Sequence, residues 1–401
     1  MDCKAINMKE KLLFLTNRYP YPPHKGDTIR VYGILKYLSQ IYDIILVSFS
    51  ETIITKEKQQ PLSEMVSQQI VWHQPMGAKT TFWALLKSIV FNIPISSAFY
   101  SNQQRNRILD DLIKKQSIKK MYVFSLALMD LVPKSFNHIY LDLCDVEIFK
   151  WHDYAKMSFK PLSYLYHYET RKTWSFLNDK VKDIEVCLVI SHHEERLLKR
   201  ISAIKKPVIV LPNGIKSIEK LHFKPTQEVF TLTFIGVMSY KPNIEGIDWF
   251  VKYVWPLVQE KIPNARLMII GQNPSDRIKK LCLRTNITVT GYVTDVSEYL
   301  YHSSLIIVPI KMAYGVQNKV LEALGFGKKL IVTPEAMRGI DWLDEGVHVV
   351  SRDVNQWLKS ILELRCLSLS AEQLIERRLS FSERYRWENC LRPLKVLSTF
   401  K

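Results

Sequence analysis

Thirteen glycines in 401 residues are few, and four of those in the second half share one setting. Each follows a short apolar run: Phe234-Ile235-Gly236, Ile269-Ile270-Gly271, Val289-Thr290-Gly291, and Gly315 beyond Leu305-Ile306-Ile307-Val308-Pro309. Such runs read as buried strands of a parallel sheet. Strand ends that repeatedly carry glycine describe a sheet edge where backbone comes close to a ligand. The pattern predicts an α/β fold and places a site at one edge of it.

The last of these glycines opens the densest polar cluster, Gly315-Val316-Gln317-Asn318-Lys319-Val320-Leu321-Glu322. A strand precedes it. A short helix ending at Gly325-Phe326-Gly327 follows, and Lys328 to Pro334 supplies the next strand. The loop delivers polar residues to a helix N-terminus, whose free N–H groups and positive dipole end suit a phosphate. Lys319 adds a full charge. Glu322, three residues on and on nearly the same helix face, is placed to accept from two vicinal sugar hydroxyls. Lysine on the phosphates and glutamate on a ribose describe a nucleoside diphosphate. The competing reading is an ordinary surface Lys/Glu pair.

This segment resembles the nucleotide-sugar signature of glycosyltransferase family 4, and within it the exosortase (PEP-CTERM) system-associated sugar transferase branch. The likeness covers nearly the whole chain. It implies an α/β GT-B fold: two Rossmann-like domains facing across a cleft, with a C-terminal helix crossing back to the first. The domains then run 1–212 for the acceptor and 213–380 for the nucleotide-sugar, with 381–401 returning. Pro212-Asn213-Gly214-Ile215 resembles the family's crossing point, and Phe381-Ser382-Glu383-Arg384-Tyr385-Arg386-Trp387 its C-terminal tyrosine–x–tryptophan helix. Gly236 to Asn243 resembles the loop after the first strand of the second domain, with Lys241 as its available cation. Gly291-Tyr292-Val293 resembles the base-binding turn, where the backbone after the aromatic meets the nucleobase edge. One departure stands out. Most relatives carry two glutamates eight residues apart; Glu322 matches the second, but Tyr314 holds the first position. The exosortase-associated branch also reads Asn-Lys before the helix, which hands Asn318 and Lys319 to the donor.

The first half opens with a strand over Lys11–Thr16, the proline-stiffened loop Asn17–Asp27, a helix over Thr28–Ser39 and a strand over Tyr42–Phe49. No G-x-G-x-x-G is present, which disfavours a dinucleotide. The loop resembles the family's opening motif, in which Gly26 admits the sugar-phosphate and Arg30 reaches a phosphate or the acceptor; the alternative is a solvated turn with a helix cap. Further on, Ile139–Asp145 reads as a strand with Asp142 and Asp145 at or near its C-terminal end. Asp142-x-x-Asp145-x-Glu147, Lys150-Trp151, Tyr154-Ala155 and Tyr168-Glu169-x-Arg171 continue the likeness. Relatives often carry a histidine near sugar and acceptor where this chain has Asp145. A carboxylate there accepts the acceptor's proton or steadies charge on the sugar ring; the alternative is an aspartate capping the next helix.

Charge and composition bound the partners. Lys and Arg outnumber Asp and Glu by 56 to 39, a formal +17. The excess is spread out, with 30 basic against 20 acidic residues up to Pro212. Basic runs without aromatic stacking platforms speak against nucleic acid. Six cysteines, far apart and without a C-x-x-C pair, imply free thiols and no structural zinc. His192 and His193 are adjacent, point to different helix faces and make no metal site. The charged N-terminus reads as no signal peptide, and Phe82–Ile95 is too short and interrupted to span a bilayer. The expected location is cytoplasmic. The apolar Phe82–Phe91 segment beside the basic Arg105–Lys120 segment leaves two readings open: a core helix next to a solvated one, or peripheral contact with an anionic membrane.

Taken with the resemblance, these features imply a retaining, metal-independent glycosyltransferase. It would take a nucleotide-sugar as donor and a glycan or lipid-linked molecule as acceptor, in surface or exopolysaccharide biosynthesis, and would need no cofactor. A non-catalytic nucleotide-sugar-binding relative and a GT-B-fold epimerase are the alternatives.

Overall fold

The computed structural model describes residues 9–215 and 229–398. The chain divides into two compact units. One comprises the residues up to Pro212 together with those from Leu391 onward; the other is Asn213–Cys390.

The first unit is built on seven strands: β1 Lys11–Thr16, β2 Asp43–Ser50, β3 Gln68–His73, β4 Lys120–Phe124, β5 His138–Cys144, β6 Val186–Val189 and β7 Val208–Val210. Their order is β3-β2-β1-β4-β5-β6-β7, and every pairing is parallel, as in Leu12↔Ile44 and Leu12↔Lys120. Leu12 to Leu15 and Ile44 to Val47 are buried throughout, because helices cover both faces of a parallel sheet. The second unit holds β8 Thr231–Ile235, β9 Arg266–Ile270, β10 Ile287–Gly291, β11 Leu305–Val308, β12 Leu330–Val332 and β13 Val347–Val349, ordered β10-β9-β8-β11-β12-β13. They are parallel as well. Strand order therefore reverses between β1 and β4 in one sheet and between β8 and β11 in the other. Crevices beyond the carboxyl ends of such neighbours are where open α/β sheets bind ligands.

Several elements differ from the sequence reading. Gln68–His73 forms a strand that was not foreseen: it is an edge strand, half-buried along most of its length, so neither a buried apolar run nor a clean alternation marks it. The helix after β8, which the sequence pattern bounds at Glu245 and Val254, starts at Lys241, passes through a π-helical stretch at Phe250–Val254 and ends at Lys261. At the C-terminal end, Phe381 stacks on Tyr385 with ring centroids 4.6 Å apart and meets Trp342 edge-on, so helix Ala371–Tyr385 stays with the second unit. The return to the first unit begins at Leu391 rather than Phe381. There the Leu397 carbonyl accepts from Lys120 Nζ at 3.3 Å and from the Tyr140 hydroxyl at 3.1 Å.

Among the described residues, no helix is long and apolar enough to cross a membrane.

Candidate functional site

In the second unit the glycine-ended strands meet as a stitched edge. Gly236 N–H donates to the Ile270 carbonyl at 2.9 Å, Gly271 N–H to the Gly291 carbonyl at 3.1 Å, and Met238 N–H to the Gln272 carbonyl at 2.9 Å. Gly271 has φ +152°, and a Cβ there would stand 1.7 Å from the Gly236 carbonyl oxygen. No other residue fits, because the backbones after β8 and β9 are in contact.

Helix Asn318–Gly325 starts beyond β11, on the other side of the strand reversal. It buries Val320, Leu321, Ala323 and Leu324 against the sheet, which leaves Lys319 and Glu322 partly exposed on another face. The Lys319 ammonium reaches across to the β8 side. It donates to Asn243 Oδ1 at 2.7 Å and lies 4.5 Å from the centre of the Phe234 ring. A Cβ on Gly236 would come within 2.8 Å of Lys319 Nζ. Asn243 is itself oriented, donating from Nδ2 to the Val237 carbonyl at 2.9 Å. Burial pushes the Lys319 ammonium down to about 7, and the Glu322 carboxylate one turn away opposes that shift. This lysine is poised to take up a proton when a negative group arrives.

Asn318 Oδ1 accepts from Asn213 Nδ2 at 2.8 Å, tying the start of this helix to the start of the unit. Tyr314 lies half-buried in the same loop, its hydroxyl 3.7 Å from Met312 Sδ. Gly315 has φ +62°, a conformation that glycine adopts without strain. Lys241 is exposed at the first residue of its helix. Tyr292 is exposed and Val293 half-buried, directly after the Gly291 that Gly271 touches. Gly236, Gly315, Asn318, Lys319 and Glu322 thus flank the reversal between β8 and β11, with Tyr292 and Val293 along the β9–β10 edge. Asn243 and Phe234 were not foreseen. Asn243 lies 76 positions from Lys319, and an asparagine in a first helical turn is too common to single out.

The first unit corrects two expectations. Arg30 and Asp142 have fully buried side chains and form a bidentate ion pair: Arg30 Nε and Nη2 each lie 3.0 Å from a carboxylate oxygen. Arg30 Nη1 donates to the Leu211 carbonyl at 2.6 Å, while Asp142 also accepts from the Tyr122 hydroxyl at 2.6 Å and Cys144 N–H at 2.9 Å. With side chains withdrawn from solvent and spent on protein groups, neither is presented to a ligand. They are an interior brace between helix Gly26–Leu38 and β5, since a buried charge must be paired. Gly26 is exposed at the start of that helix, next to Asp27, which pairs with Arg18.

Asp145 is different. It follows β5 after Cys144, whose φ of +60° turns the chain out of the strand, and it is half-buried. Burial pushes its carboxyl up to about 6; Lys150 pulls it down and Glu147 adds to the rise. Glu194 Oε2 holds the adjacent Val146 N–H at 2.8 Å. Glu194 comes from helix His192–Ile201, which Ser191 caps by accepting Glu194 N–H. Glu169 has a structural task, accepting the N–H groups of Ile95 at 2.7 Å and Ser96 at 3.0 Å. His192 pairs with Glu195 at 2.9 Å. Among the described residues no group of three or more His, Cys, Asp and Glu is arranged to hold a metal ion.

Comparison with known proteins agrees with this architecture. Residues 229–365 match the family model described as "Glycosyl transferases group 1". A glycosyltransferase of Methanocaldococcus jannaschii, itself uncharacterised, is 20% identical over 328 residues, covering 77% of this chain and 73% of the relative. Sucrose-phosphate synthase from Thermosynechococcus elongatus superimposes with a TM-score of 0.67 at 13% identity, over 97% of this chain and 98% of that one. A glycosyltransferase from Rickettsia africae gives 0.66 at 14%, covering 98% of each chain. Anabaena HepE, solved with UDP and glucose, gives 0.63 at 12%, over 98% of this chain and 100% of its own. The two parallel-sheet Rossmann-like units are those of GT-B glycosyltransferase structures.

Proposed function

We propose that this chain is a retaining glycosyltransferase that binds a nucleotide-sugar on its second unit and passes the sugar to a glycan or lipid-linked acceptor on its first. The observation that carries the reading is the Lys319 ammonium, held by Asn243 Oδ1 at 2.7 Å beside Gly236 and one helical turn from Glu322. A diphosphate laid along the glycine edge meets a cation, a helix N-terminus and bare backbone; a ribose reaches Glu322; a base reaches the Tyr292-Val293 turn. Developing charge on the departing diphosphate is stabilised by Lys319, with Lys241 and the helix N-termini assisting, so the reading assigns no metal. The matching family model and the UDP complex of a structural neighbour support a nucleotide-sugar donor and make UDP the first nucleotide to test. Retention, and a place in surface or exopolysaccharide biosynthesis, follow from the sequence resemblance.

On the first unit Asp145 is the carboxylate assigned to the acceptor, as a base or as an electrostatic partner of the sugar ring. Tyr314, standing where relatives carry a glutamate, favours one rival: a nucleotide-sugar-binding protein without transfer. Thermal-shift panels of UDP-, GDP-, ADP- and TDP-sugars identify the donor, since a bound ligand raises stability by mass action. Nucleoside diphosphate release is then followed with and without candidate acceptors. Release that needs an acceptor supports transfer. Release without one points to hydrolysis or epimerase chemistry, and binding with no release points to the non-catalytic relative.

A further inference from the structure

Helix Ala78–Phe91 is packed inside out. It faces the protein with small residues, Ala84 and Ser88, which are its only buried side chains. Leu85 also packs against the core, but the other bulky side chains face solvent: Phe82 is 57% exposed, Trp83 55%, Ile89 59%, Val90 74% and Phe91 59%. A core helix does the reverse, and exposed apolar side chains grouped on one face mark an interaction surface. The surface extends onto a neighbour. On helix Leu162–Lys180, Tyr164, Tyr168 and Lys172 follow one another at four-residue spacing. Tyr168's hydroxyl lies 3.1 Å from Ser88 Oγ, and Lys172 Nζ donates to Asn92 Oδ1. The approach to that helix and its first turn expose Phe159 at 77% and Tyr164 at 59%, with Lys160 Nζ 5.6 Å from the Tyr164 ring.

Charge says what this surface fits. From Met65 to Leu109 the chain has no acidic residue, and none from Tyr154 to Tyr168, while Lys79, Lys156 and Lys160 are exposed within these stretches. The basic segment singled out from the sequence contributes less than expected. Arg105 lies 5.0 Å from the Phe49 ring centre and 5.6 Å from that of Trp72, and Lys120 pairs with Glu10 at 3.0 Å. We propose that helix Ala78–Phe91 and the Phe159–Tyr164 segment together insert into the headgroup region of an anionic lipid leaflet. Aromatic side chains enter the acyl boundary and the neighbouring lysines meet lipid phosphates. The proposal is independent of the donor reading above.

Flotation of the full chain with phosphatidylcholine vesicles, with and without phosphatidylglycerol, tests it. Wild-type protein is expected to float with anionic vesicles, less with neutral ones, and less at about 1 M than at about 0.1 M salt. The pair Trp83→Ser and Phe91→Ser, both at exposed positions, should weaken partitioning at least about tenfold while nucleotide affinity and the unfolding midpoint stay as in wild type. The pair Lys79→Glu and Lys160→Glu should abolish the preference for anionic lipid. Equal wild-type recovery with both lipids, no recovery with either, or unchanged flotation of the aromatic variant overturns the proposal. So does a wild-type dimer that the aromatic substitutions convert to monomer without lipid binding, which makes this face a contact between copies.

Discussion

If Lys319 holds the donor's phosphates, as proposed, donor binding is a proton-linked event. Burial pushes the Lys319 ammonium down from the ordinary 10.5 to about 7. A diphosphate beside it favours the charged form and returns its pKa toward the ordinary value. The sign follows. Below pH 7 the lysine is already charged and affinity does not depend on its titration. Above 7 only the charged fraction is competent, so the apparent Kd rises by roughly tenfold per pH unit, about 1.4 kcal/mol each, until the bound-state pKa is reached. Binding therefore takes up close to a full proton well above pH 7 and almost none well below it. Calorimetry of UDP, or of whichever nucleotide binds, in buffers of different ionisation heat counts those protons directly. The range pH 7.5 to 9, approximately, also keeps the nucleotide's own phosphate ionisation out of the way. Lys319→Met should bind weakly with a flat profile. Flat affinity and no proton uptake in wild type, or the same slope in Lys319→Met, would remove Lys319 from the phosphate site.

Glu322→Gln should weaken nucleotide binding by roughly 1–3 kcal/mol, the cost of losing charge-assisted hydrogen bonds to ribose; unchanged affinity by calorimetry makes it a helix-surface residue. Asp145→Asn should leave nucleotide affinity nearly intact and lower turnover at least about a hundredfold, and wild-type turnover should fall as pH drops through about 6, where burial has lifted this carboxyl and protonation removes the base. Asp142→Asn should act on the fold instead, with urea unfolding showing a loss of roughly 3–5 kcal/mol because Arg30 is left buried without its counter-charge; unaltered stability with lost turnover would restore Asp142 to the chemistry.

What could be read from the chain alone was whatever depends on neighbours in sequence. Strand ends that terminate in glycine, and a lysine and glutamate one helical turn apart, are local patterns, and the structure sets Gly236, Gly315, Lys319 and Glu322 around one strand reversal. Arg30 and Asp142 were misread because their meaning lies in each other, 112 positions apart. A polar residue near a strand end looks the same whether it meets solvent or a hidden counter-charge. Helix Ala78–Phe91 left two readings open for a related reason. Helical periodicity reports that apolar residues share a face, but which way the face points depends on what the rest of the fold offers it. Here the protein accepts Ala84 and Ser88.

The chain leaves the first unit after Pro212 and rejoins it at Leu391, so the second unit is an insertion within the first. The two units therefore differ in continuity along the chain. Asn213–Cys390 is contiguous. The first unit draws on both ends of the sequence, because the segment after Leu391 brings the Leu397 carbonyl to Lys120 and the Tyr140 hydroxyl on β4 and β5. A truncation after Cys390 would therefore keep every residue of the second unit while taking from the first the carbonyl that Lys120 and Tyr140 share.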